Sequence, residues 1–276
     1  MIFKDRTVII TGASEGIGAA AARLFAEAGA NLVLVARTRK NLDAIAESLR
    51  DMTRVEIFPM DVTDDDACID LFKKAAFEYG RVDILVNNAG FHARGAVRDV
   101  DAADLARIVD VNLRATVFLS RTALPYLEEA GGGVIVNVAS LHGKMASAGA
   151  ATYSASKFGL RIFSLALAQE LDGTGIKVAL VSPGPVSTGF ILNNLDKVDD
   201  VVFSQPISTP RDVAQAILDV CGNNVREQDL PKSTGVLATL VYLLPWVGKW
   251  IRPTLARKGA RVKARLKTEQ KNRGAR

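Results

Sequence analysis

Tyr153 and Lys157 stand four residues apart, a spacing that puts both side chains on one face of a helix. A free tyrosine has a pKa near ~10, and an ammonium beside it favours the phenolate and lowers that value towards working pH. The pair is therefore suited to delivering and taking up a proton. Ser140, a short way upstream, offers a hydroxyl that can hydrogen-bond and position the oxygen receiving that proton. A Tyr and a Lys at this spacing occur on many helices, so their meaning rests on what accompanies them.

A second cluster lies near the start of the chain, in Thr11-Gly12-Ala13-Ser14-Glu15-Gly16-Ile17-Gly18. It falls between an apolar run at 7–10 and an alanine-rich, helix-length stretch at 19–28. Gly12 permits a tight turn, Gly16 lets the backbone approach a pyrophosphate, and Gly18 lets helix and strand pack closely. The helix N-terminus then presents unpaired N–H groups and partial positive charge to a phosphate. A phosphate cradle followed by a proton-delivery device implies a nucleotide-dependent oxidoreductase.

The elements that must position these groups are readable from apolar periodicity. Continuous apolar runs at 7–10, 32–36, 55–60, 84–86, 134–138 and 177–181 alternate with helix-length segments. Strands without polar alternation belong in a parallel sheet covered on both faces. The alternation predicts an α/β fold, a doubly wound parallel sheet with a C-terminal helical extension. The run at 177–181 is the last strand that this pattern predicts. A helix-like stretch at 211–221 follows it and ends at Gly222-Asn223-Asn224.

The glycine spacing T-G-x-x-x-G-I-G resembles that of the short-chain dehydrogenase/reductase family. Colinear motifs over roughly 5–222 carry the resemblance further: Asn87-Asn88-Ala89-Gly90, the set Ser140, Tyr153 and Lys157, and Pro183-Gly184 after the 177–181 run. The resemblance implies carbonyl reduction, with hydride passing from a nicotinamide to the carbonyl carbon and a proton from Tyr153 to its oxygen. It implies catalytic roles for Asn112, Ser140, Tyr153 and Lys157. Asn112 would support a proton relay through water, and Lys157 would also bind the nicotinamide ribose. It also implies homo-oligomers that meet through the Tyr153-bearing helix and the next helix.

The cofactor side extends beyond Gly12, Ser14, Gly16, Ile17 and Gly18. The second run ends Val35-Ala36-Arg37 with no acid, so a ribose 2′-phosphate is favoured over a free 2′-hydroxyl. The Arg37 fork suits that phosphate, where a carboxylate would repel it. NADP(H) is the expected cofactor. By resemblance, Asp61 and Val62 border the adenine, and Asn88, Ala89 and Gly90 line the cofactor. Pro183, Gly184, Val186 and Thr188 reach its diphosphate and nicotinamide half, with Tyr153 and Lys157. Asp61 alone also reads as a helix cap ahead of Thr63-Asp64-Asp65-Asp66. His92 and His142 each lie beside a motif and are substrate-contact candidates, although a His in a polar loop is more often solvated. No metal-ligand spacing is present.

The net charge of +5 conceals two regions. From 249 to 276 there are eleven Lys/Arg and one acid, Glu269, whereas the remainder carries 24 basic and 29 acidic side chains. An uncharged stretch at 233–248 precedes this basic end. It is shorter than the ~20 apolar residues that a membrane span requires, and Gly235, Pro245 and Gly248 interrupt it. Beyond it, Ile251, Leu255, Val262 and Leu266 form a narrow helical stripe ringed by Lys and Arg. Trp246 and Trp250 suit an interfacial depth.

These features divide the chain into a catalytic domain at 1–230 and a hydrophobic, then basic, extension at 231–276. The extension is expected to meet an anionic membrane surface through 233–276. Against this stands packing of 233–250 into the substrate pocket or a dimer interface, with the tail disordered. Two cysteines, Cys68 and Cys221, and the absence of a signal peptide point to a cytoplasmic enzyme, attached peripherally to the inner face of a membrane. The leading expectation is an NADPH-dependent reductase of an apolar, lipid-like ketone. The alternatives are a soluble 3-oxoacyl thioester reductase and a nucleotide-sensing scaffold. Nucleic acid is not an expected partner, although clustered Lys/Arg can neutralise its phosphates.

Overall fold

The computed structural model describes residues 2–274. Seven strands form one parallel sheet in the order β3-β2-β1-β4-β5-β6-β7. They are β1 (Thr7–Thr11), β2 (Asn31–Ala36), β3 (Val55–Pro59), β4 (Ile84–Asn87), β5 (Gly133–Val138), β6 (Ile176–Pro183) and β7 (Glu227–Leu230). The long helices between them are α1 (Gly16–Glu27), α2 (Arg39–Glu47), α3 (Asp65–Tyr79), α4 (Ala102–Val109), α5 (Ala115–Glu129) and α6 (Ala151–Glu170). After β6 come a single turn α7 (Gly189–Leu192), then α8 (Pro210–Gly222), α9 (Lys232–Leu243) and α10 (Pro245–Gly274).

Successive residues of a strand point to opposite faces, and both faces are buried. Val8, Ile10, Leu32, Leu34 and Val86 pack on one side with Leu24 and Phe25 of α1 and Val213 and Ile217 of α8. Ile9, Val33, Val35, Leu85 and Ile135 pack on the other with Phe72 of α3, Leu119 of α5 and Leu167 of α6. This is the doubly wound arrangement expected from the uninterrupted apolar runs. Strand order reverses between β1 and β4, and the C-terminal ends of those two strands open the crevice where such folds take ligands.

The apolar pattern does not reveal β7. Its sequence Glu-Gln-Asp-Leu is polar because it is the sheet's edge, half-buried throughout, and pairs only with β6. Two of its side chains are structural anions. Lys144, itself buried, reaches Glu227 at 2.9 Å and Asp229 at 2.8 Å, and Arg161 of α6 grips Glu227 at 2.7 Å.

The extension is helical and folds back on the sheet. Helix α9 lies against β7 and the 3-10 turn Leu141–Lys144, and α10 lies against the 3-10 turn Asp200–Ser204. A Cβ at Gly259 would come within 1.7 Å of the Asp200 carbonyl oxygen, so α10 approaches that turn backbone to backbone. Val262 and Leu266 of the expected lipid-facing stripe instead pack on Leu195, Val198 and Phe203. Apolar periodicity defines a face without specifying what covers it. The alternative of a disordered tail also gives way, because the basic residues are used: Arg252 pairs with Asp199, Lys263 with Asp200 and Lys267 with Asp196.

Candidate active site

The cradle is built where β1 turns into α1. Gly12 has φ +65°, a left-handed conformation that side chains disfavour. A Cβ on Gly18 would sit 2.2 Å from the Gly12 carbonyl oxygen and 2.7 Å from the Asn88 amide, so this close packing requires glycine. No side chain caps the start of α1, and no acid occupies its first turn. Its terminal N–H groups are left for an anion. Asn88 ties the floor together: its Nδ2 donates to the Thr11 carbonyl at 2.9 Å, and the Thr11 hydroxyl accepts from the Asn88 and Ala89 amides.

One cavity of about 400 Å³ runs from this cradle to Tyr153. Gly12, Ser14, Gly16 and Ile17 line it at one end, with Arg37, Asp61 and Val62 beside them. Asn88, Ala89 and Gly90 lie between, and Ser140, Tyr153, Lys157, Pro183, Gly184, Val186 and Thr188 complete the wall. Gly18 supports the cradle from behind, and Asn112 lies under the loop that follows β4. Arg37 is exposed at the end of β2, near Asp61. Asp61 accepts from the Thr63 amide and hydroxyl and pairs with Arg107 at 3.4 Å. Burial raises its carboxyl pKa, but the Thr63 bonds and the Arg107 and Arg37 charges outweigh that effect and lower it overall. Asp64, not Asp61, caps α3.

Tyr153 and Lys157 share the buried face of α6, as their spacing requires. Lys157 Nζ donates to the Val138 carbonyl at 2.9 Å and lies 6.0 Å from the Tyr153 ring centre. The direction of the tyrosine shift differs from the sequence expectation. Burial raises the phenol above its ordinary value, opposed by the Ser140 hydroxyl and the Arg94 charge. The same burial lowers Lys157 to about 8. Desolvation of the phenol, a tertiary effect, outweighs the opposing Ser140 hydrogen bond and Arg94 charge.

Ser140 opens the turn Leu141–Lys144. Its hydroxyl accepts from the His142 amide at 3.2 Å and donates to the Pro183 carbonyl at 3.4 Å. Asn112 lies in a one-turn π-helix, Asp110–Arg114, between α4 and α5, a local irregularity frequent at functional sites. Its Oδ1 accepts from the Phe91 amide at 2.8 Å, and its Nδ2 donates to the Phe91 carbonyl and the Ser156 hydroxyl. Asn112 thereby clamps the loop after Gly90 onto α6.

Both histidines lie against Tyr153. His92 stacks on its ring at 4.3 Å, and His142 meets it edge-on at 5.5 Å. Burial holds them neutral, with pKa values of about 3 and about 4. Motifs and spacing do not single out Arg94 and Phe190, which line the same end of the cavity, or Arg252, which reaches it from α10. A basic residue four past Asn88-Ala89-Gly90 is the only local clue to Arg94. Among the described residues no cluster suited to a metal ion occurs.

The model of the short chain dehydrogenase family matches residues 6–198. A ketoacyl reductase, HetN, of Nostoc sp. is 36% identical over 255 residues, covering 90% of this chain and 86% of the relative. A cis-4-hydroxycyclohexanecarboxylate dehydrogenase of Sinomonas cyclohexanicum is 35% identical, with coverage of 78% and 88%. A crystal structure of a metagenomic short-chain oxidoreductase in complex with NADP superposes with a TM-score of 0.71 at 30% identity, covering 82% of this chain and 97% of that one. The glycine cradle, the sheet order and these likenesses agree: the chain belongs to the short-chain dehydrogenase family.

Proposed function

We propose that this protein is an NADPH-dependent reductase that converts a ketone of an apolar, lipid-like substrate to a secondary alcohol, with Tyr153 as proton donor. One observation carries the reading: Tyr153 is buried in the same cavity that begins at the glycine cradle, with Ser140 and Lys157 beside it. The cradle fits the cofactor, because Gly18 leaves no room for a side chain and the start of α1 is uncapped. Gly12–Ile17 would hold the pyrophosphate and Arg37 the 2′-phosphate. Asp61 and Val62 would border the adenine, and Lys157, Pro183–Val186 and Thr188 would hold the nicotinamide half. When bound, NADPH supplies the hydride that reduces the carbonyl carbon.

The chain's own residues perform the rest. A phenol raised above its ordinary pKa stays protonated through neutral pH, the form needed to give a proton to the carbonyl oxygen. The Ser140 hydroxyl positions that oxygen. Lys157 is charged below about pH 8 and stabilises the phenolate left after transfer. Phe91, Met145, Phe190, Ile191, Val201 and Val202 make the substrate end of the cavity apolar. The likeness to a ketoacyl reductase also favours a second reading, a 3-oxoacyl thioester as substrate.

Exposed apolar side chains at the α9–α10 corner support attachment to an anionic membrane surface. Trp246 is 67% and Trp250 80% exposed, beside exposed Tyr242 and Leu243. No helix among the described residues is long and apolar enough to cross a membrane. The test is NADPH oxidation, with and without liposomes, on 3-ketosphinganine, 3-oxoacyl thioesters, ketosteroids and small ketones. Turnover of a lipid ketone that Tyr153→Phe lowers at least a thousandfold supports the proposal. Equal turnover by the variant, or activity confined to small ketones, overturns it. Co-sedimentation with anionic liposomes that survives Trp246→Ser/Trp250→Ser unchanged overturns the membrane corner.

A further inference from the structure

We propose that Arg94 is a specificity residue that pairs with an anionic group, a carboxylate or a phosphate, carried by the ketone substrate. The inference rests on the reductase reading above and narrows its substrate class from apolar ketones to amphiphilic, acidic ones.

The guanidinium of Arg94 lines the cavity that contains Tyr153 and lies 5.4 Å over the Phe190 ring. That ring is in turn 6.2 Å from the ring of Tyr153. Of its five N–H donors, one is used, to the Phe190 carbonyl at 3.3 Å. Among the described residues no carboxylate lies within ion-pair distance of it. Of the other charges near this end, Asp199 is 2.7 Å from Arg252, and the Lys157 ammonium is hydrogen-bonded to the neutral Val138 carbonyl. The two imidazoles against Tyr153 are neutral and bring no charge.

Arg94 therefore carries a positive charge into an apolar chamber without a counter-ion. Burial lowers its pKa, the signature of a charged group short of solvent. Such a cost is recovered when an anion enters, and a planar fork matches a carboxylate or phosphate bidentately. Stacking on Phe190 needs no free N–H groups and leaves four of them open to water or to a ligand. The apolar walls and the Arg94 cation, which has no carboxylate beside it, together describe a ligand with a hydrocarbon body and an acidic head.

Binding is measured first, by calorimetry on the NADP⁺-loaded protein with three ten-carbon probes: decanoate, decylphosphonate and decanol. The wild type is expected to bind at least one of the two acids about tenfold to a hundredfold more tightly than the alcohol. The preferred acid identifies carboxylate or phosphate as the natural head group. Arg94→Gln is expected to erase that preference while leaving decanol and NADPH affinity unchanged, and Arg94→Lys to keep part of it. In turnover, Arg94→Gln should raise KM for 5-oxodecanoate and leave that for its methyl ester alone.

A wild type that prefers neither acid overturns the proposal. So does a variant that weakens alcohol and acids equally, which would make Arg94 a support for Phe190, or one that weakens NADPH, which would make it a cofactor residue. The binding arm is independent of turnover. An Arg94-dependent preference in a protein that reduces no ketone would refute the reductase reading and leave the anion site standing.

Discussion

The Arg252 guanidinium lies 2.7 Å from the Asp199 carboxylate, and both side chains line the cavity that holds Tyr153. Asp199 also accepts from the Val201 amide at 2.9 Å, capping the turn that forms part of the cavity wall. The C-terminal helix thus contributes directly to the chamber. Asp199→Asn keeps the cap, since Asn caps as well as Asp, and removes only the charge. The pair is half exposed on the arginine side, so its coupling in a double-mutant cycle with Arg252→Gln is expected at about 0.2–1 kcal/mol. KM for the ketone should rise a few-fold in either variant and, in the wild type, with added salt, while NADPH affinity stays constant.

Gly18 fixes the distance between α1 and the turn before it. Gly18→Ala places a methyl group 2.2 Å from a backbone oxygen that cannot retreat without moving Gly12. The expected cost is about 1–3 kcal/mol of stability. NADPH affinity should fall by at least tenfold, because the displaced turn is the one proposed to hold the pyrophosphate. Thermal melting and fluorescence titration check the two effects separately.

Lys157 carries a stability cost as well as a proposed function. Burial lowers its pKa from 10.5 to about 8, so the folded protein bears the full penalty of the buried charge below pH 8. Between about pH 8 and 10.5 the unfolded chain binds a proton that the folded state has released, and stability rises with pH across that window. Lys157→Met is expected to be inactive yet about 1–3 kcal/mol more stable at pH 7, after allowing for the hydrogen bond lost at Val138. The difference in Tm from the wild type should shrink as pH climbs towards 10.5. A variant less stable than wild type at pH 7 would contradict this.

Lys144 anchors the turn that carries Ser140 and His142 to Glu227 and Asp229 of the edge strand. Lys144→Met leaves Glu227 with Arg161 and, among the described residues, Asp229 with no cation at ion-pair distance, for an expected loss of about 2–4 kcal/mol in urea unfolding. Burial pushes the Glu227 carboxyl up, but Arg161 and Lys144 outweigh it and lower its pKa. That contribution is fully present above the ordinary carboxylate range and is lost as pH falls through the lowered value. The advantage of the wild type over the variant should therefore narrow in acid.

The parts of this fold that were legible in sequence are those where burial is complete on both sides. Strands such as Leu32-Val33-Leu34-Val35 read as continuous apolar runs because helices cover both faces. The edge strand Glu227-Gln228-Asp229-Leu230 was not legible, because its residues were selected for ion pairs that only tertiary structure reveals. In the site, spacing paired Tyr153 with Lys157 and marked the glycine turn, since backbone geometry dictates those intervals, whereas Ser140 came from the family resemblance. It did not give the direction of the Tyr153 shift, which depends on how deeply the chain buries the phenol. Nor did it connect Val262 and Leu266 to Leu195 and Phe203, because a stripe carries no address for its partner.

The grip of α10 on the turn at 200–204 also means that the last helix completes the packing of a segment far earlier in the chain. The cradle and the buried face of α6 that carries Tyr153 draw on residues translated earlier. The turn at 200–204 instead meets Lys263, 63 positions later in the chain than Asp200, and the backbone of Gly259. A nascent chain paused between these points would hold a nearly finished nucleotide crevice beside an unfinished substrate chamber. Competence to take up the cofactor would then precede competence to select what it reduces.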